Sequence, residues 1–128
     1  MEKWELKPTK EIGKIIFGMD REDVHQLFTE KCTEFKKTKF SKNTTDDYGK
    51  FHIYYSTENK VEAVEFFEDV EITINGKRIF PESVKTVESI IGKMESDSGY
   101  YTHKEFSIGF FAPENIPESI LVGGPGYY

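Results

Sequence analysis

The stretch GKIIFGMDREDVHQLF, residues 13–28, joins a short apolar segment directly to a helix start. Apolar residues 15–17 precede Asp20, a residue type favoured at helix N-caps, and apolar side chains then recur on one helical face. The pattern returns at residues 76–91 as GKRIFPESVKTVESII. Each copy predicts a strand that passes straight into a helix.

Strand patterns surround these two copies. Residues 51–55, with Phe51, Ile53 and Tyr55 on one face, and residues 61–67 predict two strands joined by a turn. FHIYY at residues 51–55 lines up with FSIGF at residues 106–110. Similar elements in the same order in both halves indicate a duplicated unit, with pseudo-repeats at about 13–75 and 76–122.

These elements predict one domain over residues 1–128 with an α+β fold. We expect a two-layer sandwich, with two helices on one face of an antiparallel sheet that both halves build. Residues 1–12 read as a polar lead-in with a short edge strand at Trp4 and Leu6. The lysine-rich residues 31–42 read as another edge strand, and the alternative is a basic-aromatic nucleic-acid surface. The side chains predicted to face the helices are Phe51, Ile53, Tyr55, Val64, Phe66, Phe106, Ile108, Phe110, Ile120 and Val122.

Charge and cysteine content narrow the function classes. The net charge is −6, and residues 43–128 carry 7 Lys/Arg and 15 Asp/Glu, a net charge of −8. An acidic body repels phosphate backbones, so we expect no nucleic-acid binding, whereas it attracts a basic partner. The alternative is that the net charge only keeps the protein soluble. The single Cys32 forms no internal disulfide, and the sequence shows no apolar signal segment or membrane-span run. We therefore expect a cytoplasmic protein that does not bind a membrane.

The residues quoted first resemble a known repeat. Ile15–Val24, followed by Leu27, is similar to the "GMTxxxV…LLG" helix start of the SmpA/OmlA and β-lactamase-inhibitor-protein-like (BLIP-like) repeats. The strand, turn and strand from Tyr54 to Phe66 resemble the hairpin that those repeats place next. In its general character, a short acidic chain without a signal, the sequence also resembles bacterial toxin-immunity proteins. The resemblance implies a protein that acts by binding another protein.

The sequence contains no catalytic motif. Its three histidines are scattered, and none has a metal-ligand spacing such as His-Glu-x-x-His. Asp46, Asp47 and His52 form the one grouping that suggests a metal or an acid–base site, although an Asp-rich turn is the commoner structure. We therefore predict a protein that is not an enzyme and uses no cofactor and no metal.

The alternate positions of the predicted strands form the second face of the sheet. This face mixes aromatic, acidic and apolar side chains, a composition typical of protein-binding surfaces. The predicted partner-binding residues on this face and on an adjoining acidic hairpin are His52, Tyr54, Glu62, Glu65, Phe67, Glu68, Asp69, Glu71, Phe111 and Leu121.

The predicted function follows from this surface. We expect a protein-binding module, an inhibitor or immunity protein that occludes a basic toxin or enzyme. The alternative is a homodimeric structural or small-ligand-binding domain in which the face closes on itself. A further alternative is that the Tyr127-Tyr128 terminus covers the face.

Overall fold

A computed structural model describes residues 2–128 of the chain. Two short helices, α1 (Arg21–Leu27) and α2 (Val84–Ile91), interrupt a chain that is mostly strand. The strands in chain order are β1 (Glu2–Lys7), β2 (Glu11–Ile12), β3 (Ile15–Ile16), β4 (Thr33–Phe35), β5 (Thr45–Asp47), β6 (Phe51–Tyr55), β7 (Val61–Phe66), β8 (Val70–Ile74), β9 (Lys77–Phe80), β10 (Glu95–Asp97), β11 (Tyr100–His103), β12 (Ile108–Phe111) and β13 (Ser119–Gly123).

The strands form two sheets. The large sheet has eight strands in the order β10-β11-β12-β13-β7-β6-β5-β4, and every neighbouring pair is antiparallel. The small sheet has five strands in the order β3-β2-β1-β8-β9, and β1 and β8 run parallel. Side chains of both sheets join one core, where the Trp4 ring lies 5.0 Å from the rings of both Phe51 and Phe66.

This architecture corrects the predicted fold class. Strands make up 43% of the described residues and helices 12%, and the layer that covers the large sheet is a second sheet rather than two helices. The helices, with 7 and 8 residues, are too short to cover an eight-stranded sheet. They contribute Val24 and Val87 to the shared core instead. The fold is therefore a β-sandwich-like arrangement.

The small sheet explains why the predicted fold class was wrong. β1 was predicted as an edge strand at Trp4 and Leu6, but it lies inside the small sheet between β2 and β8. Its other residues are polar and exposed, and its parallel partner is distant in the chain, so no local pattern reveals the pairing. The segment Val70–Ile74 forms a tight hairpin with β9 through Asn75-Gly76, a dipeptide typical of such turns, and both residues have positive φ.

The predicted inner face of the large sheet is confirmed by the burial of its side chains. Nine of the ten side chains predicted to face the core are buried, and Phe106 alone is half-buried. Phe106 differs because it lies in the turn between β11 and β12. β4 is an edge strand of the large sheet, as predicted for the lysine-rich segment, although it covers only Thr33–Phe35.

The strand order of the large sheet is symmetric. The four-stranded meander β4–β7 lies beside the meander β10–β13, and the two meet where β7 pairs with β13. Each meander follows a short helix, α1 in the first case and α2 in the second. A duplicated unit would produce this order, and the pseudo-repeats remain a prediction.

The two helices begin differently. Ser83 caps α2, because its side chain accepts a hydrogen bond from the Thr86 N–H, and Gly92 ends that helix. Asp20 stands at the N-cap of α1 but makes no capping hydrogen bond, because its carboxylate binds Lys60 at 3.0 Å. Within residues 2–128, neither helix has the length and apolar character needed to cross a membrane.

Candidate functional site

The outer face of the large sheet carries the row of side chains that the alternating pattern predicted. His52 pairs with Glu65 across β6 and β7, and Glu65 pairs with Leu121 across β7 and β13. All three side chains are half-buried, whereas their inward neighbours Ile53 and Val64 are completely buried. Because strand side chains alternate between faces, the row points away from the shared core.

Aromatic rings flank this row on both sides. The His52 ring lies 4.7 Å from the Phe67 ring and 5.1 Å from the Phe35 ring. At the far end of the sheet, Phe111 packs against the exposed Tyr100 with ring centroids 4.8 Å apart. We call His52, Glu65, Phe67, Phe111 and Leu121 the outer-face row, since they lie on the four neighbouring strands β6, β7, β13 and β12 or directly after one of them.

Tyr54 is attached to the row rather than free on the surface. Its hydroxyl donates to Glu65 Oε1 at 2.5 Å, and Lys37 Nζ lies 4.3 Å from the centre of its ring. Burial raises the pKa of the Tyr54 phenol, and its hydrogen bond to Glu65 raises it further. Tyr54 therefore fixes the position of the Glu65 carboxylate through its hydroxyl, while Lys37 lies over its ring.

The end of the chain covers part of this face, as the tail alternative predicted. A Cβ added at Gly109 would come within 2.6 Å of Tyr128 Cζ, and one at Gly123 would come within 2.6 Å of Tyr127 Cβ. The two glycines therefore make room for the two tyrosines on β12 and β13. Tyr128 also borders a cavity of about 300 Å³ together with Leu121. Burial raises the pKa of the Tyr128 phenol to about 12.

The predicted acidic hairpin is not one surface, because β7 and β8 belong to different sheets. Glu71 lies on the small sheet, where it binds Arg78 at 3.2 Å and Lys3 at 3.7 Å. Glu62 is exposed at the start of β7, near the tail. The five acidic residues thus divide between two sheets and the turn that joins them.

Glu68 and Asp69 occupy that turn, beside the outer-face row. They line a groove of about 450 Å³ whose floor includes Phe67, Phe80 and Pro117. Glu118 also borders the groove, and the three acidic side chains belong to exposed residues. We call this feature the acidic groove.

The sequence-predicted grouping of Asp46, Asp47 and His52 is divided between the two faces of the sheet. Asp47 points outward and lies 3.3 Å from His52 Nε2. Asp46 points inward and is completely buried. Neighbouring strand residues face opposite sides, so these two aspartates cannot act on one substrate or ligand.

Asp46 instead lies at the centre of a buried polar cluster. Its Oδ1 accepts a hydrogen bond from Arg21 at 2.6 Å, and its Oδ2 accepts one from the Tyr55 hydroxyl at 2.6 Å. His25 Nε2 lies 2.6 Å from the same Oδ2. Burial raises the pKa of the Asp46 carboxyl, but the hydrogen bonds from Tyr55, Arg21 and His25 outweigh burial, and the net pKa is lowered. Asp46 is therefore a buried carboxylate anion.

Cys32 completes this cluster. One donor atom each from His25, Cys32 and Asp46 lie within 4.8 Å of one another. Burial and the neighbouring Asp46 carboxylate raise the pKa of the Cys32 thiol, and its hydrogen bond to Tyr48 only partly offsets them. A nucleophilic cysteine needs a lowered pKa, so the arrangement does not favour nucleophilic catalysis by Cys32.

Sequence reasoning missed this cluster although one signal was present. Arg21 and His25 stand four positions apart, which places both on one side of α1. Their common partner Asp46 lies 25 and 21 positions further along. Only the packing of α1 against the inner side of β5 brings the three together.

Comparison with family models, curated proteins and solved structures gives no match to this chain. The arrangement of its own side chains is therefore the basis for inferring its function.

Proposed function

We propose that this chain is a protein-binding module of the inhibitor or immunity type, which occludes a basic protein partner. One observation carries the proposal: the outer-face row places aromatic and apolar side chains next to the acidic groove. Aromatic anchors with a polar rim are what a protein interface needs, and they require no chemistry from the module. We infer that it acts in the cytoplasm, which fits a chain with one unpaired cysteine.

The negative charge of the groove and of the whole chain indicates that the partner is basic. Glu68, Asp69 and Glu118 border the acidic groove, and the whole chain carries a net charge of −6. A field of this sign speeds the approach of a basic protein, and screening by salt weakens the effect. The apolar floor, formed partly by the half-buried Phe67, would then pack against the aliphatic part of a lysine or arginine side chain.

The first experiment is an affinity capture from the native host, including the products of adjacent genes, followed by binding kinetics with the purified partner. We expect one basic protein in stoichiometric amount. Phe67→Ala should speed its dissociation, because it removes apolar contact area. Recovery of the chain alone, at twice its mass, would instead support the homodimer in which the outer face closes on itself.

A charge-reversal pair tests the electrostatic part. Glu68→Lys changes the acidic groove, whereas Glu22→Lys makes the same change at an exposed residue of α1. Only Glu68→Lys should slow association and flatten its salt dependence. Equal effects of the two substitutions would mean that net charge alone, and not the groove, steers the partner.

A further inference from the structure

We propose that His25, Cys32 and Asp46 form a binding site for a thiophilic divalent cation of the Zn²⁺ type. This inference is independent of partner binding, since these side chains lie on the inner side of β5 and on the segment around α1.

The donor set matches the chemistry of such ions. An imidazole nitrogen, a thiolate sulfur and a carboxylate oxygen are the three ligand types that Zn²⁺ takes from proteins. In this chain one atom of each type converges within 4.8 Å. His25 comes from the last turn of α1, Cys32 from the segment before β4, and Asp46 from the middle of β5. Three protein ligands leave a fourth position for water.

The hydrogen-bonding needs of the buried Asp46 carboxylate do not explain why His25 and Cys32 also lie beside it. Arg21 already balances the charge of Asp46 through Oδ1, and the Tyr55 hydroxyl already donates to Oδ2. His25 and Cys32 approach the same carboxylate in addition to these two partners. A cation at the Oδ2 side would replace the present contact between His25 and Asp46 and give all three groups a common partner.

The surroundings would orient and neutralise the site. Arg21 holds the other carboxylate oxygen, and it is itself held by Thr44 at 2.8 Å and Glu34 at 3.3 Å. Such outer contacts fix the orientation of a ligating carboxylate. An ion with two positive charges, together with Arg21, would be balanced by Asp46, Glu34 and the Cys32 thiolate.

The site is also open to solvent on one side. The His25 side chain is 40% exposed, whereas that of Asp46 is completely buried. An ion can therefore enter past the imidazole without unfolding the sheet. On binding, the Cys32 thiol would lose its proton to solvent, so that affinity should rise with pH.

Co²⁺ titration of the untagged, chelator-treated chain tests the proposal. Co²⁺ bound to a thiolate absorbs in the near ultraviolet, and the chain has a single cysteine, so this band can arise only from Cys32. We expect the band to saturate at one Co²⁺ per chain and to disappear when Zn²⁺ is added. A wild-type spectrum without the band would overturn the proposal, whatever the variants do.

Two variants and one control identify the ligands. Cys32→Ser should abolish the band, and His25→Ala should weaken Co²⁺ binding by at least about 100-fold, the upper range for loss of an outer-shell partner. His52→Ala is the matched control, because His52 also lies beside an aspartate but outside this cluster. Its affinity for Co²⁺ should equal that of the wild type. A His25→Ala variant that binds as tightly as the control would exclude the site as proposed.

Discussion

Replacement of Asp46 by Asn should destabilise the fold more than any other single charge removal in the large sheet. The carboxylate is completely buried and makes contacts of 2.6 Å with Arg21, His25 and Tyr55. Loss of one member of a buried ion pair costs about 3–5 kcal/mol, because it leaves the other charge uncompensated. Arg21 keeps its contact with Glu34 at 3.3 Å, so we expect the lower end, about 3 kcal/mol. For a chain of this size that lowers Tm by about 10 °C.

The neighbouring aspartate supplies the control. Asp47→Asn makes the same change one residue further along β5, where the side chain is 32% exposed and faces outward. We expect it to cost below about 1 kcal/mol, the range of exposed ion pairs. Urea denaturation at pH 7 gives both values. If Asp46→Asn costs no more than Asp47→Asn, the buried cluster does not stabilise the fold in the way we describe.

Acid titration tests the same carboxylate in the wild type. The pKa of Asp46 in the folded chain lies below its ordinary value of 3.8. Its contribution to the free energy of unfolding is therefore present in full above that value and is lost as the pH falls through the folded pKa. We expect Asp46→Asn to show a weaker loss of stability between about pH 5 and pH 2 than Asp47→Asn. Parallel acid profiles would contradict the assignment.

Three further substitutions have defined outcomes. Trp4→Phe removes a buried indole N–H that has no hydrogen-bond partner among the described residues, so it should change the free energy of unfolding by less than about 1 kcal/mol, whereas Trp4→Ala should cost about 3–5 kcal/mol. Ser83→Ala removes the cap of α2 and should cost about 1 kcal/mol in urea denaturation, with helix exchange rates raised near Thr86. Gly109→Ala should displace Tyr128 and cost about 1–3 kcal/mol, and the cost should vanish when it is measured in a Tyr128→Ala background.

Sequence reasoning succeeded where one local rule decides the structure. In β6, β7 and β13 the side chains of His52, Glu65 and Leu121 are half-exposed and each lies between two buried neighbours, and the alternation of strand side chains assigns these three to one face. The Asn75-Gly76 turn also follows from local chemistry, since both residues tolerate positive φ. The outer-face row was therefore predictable before its contacts were known.

Sequence reasoning failed where contacts between segments distant in the chain determine the structure. β2 and β3 have two residues each, too few to show a period, and β1 buries only Trp4 and Leu6. The apolar faces of residues 13–28 and 76–91 indicate burial but do not say that a sheet, rather than the helices, provides the covering layer. The prediction of one acidic hairpin was wrong for a related reason, because Val70–Ile74 pairs with β1 in the small sheet and not with the large sheet. The cluster around Asp46 likewise depends on tertiary packing.

The parallel pairing of β1 with β8 has a consequence for the order of events during synthesis. Glu5 and Thr73, which pair in register, are 68 positions apart. While the ribosome makes the intervening residues, β1 has no parallel partner and Trp4 has neither Phe51 nor Phe66 to pack against. Hairpins with short loops close first, because long-range pairing must overcome a larger loop entropy. Until β8 has emerged, the nascent chain should therefore expose the Trp4 indole to chaperones, and the small sheet should be completed only afterwards.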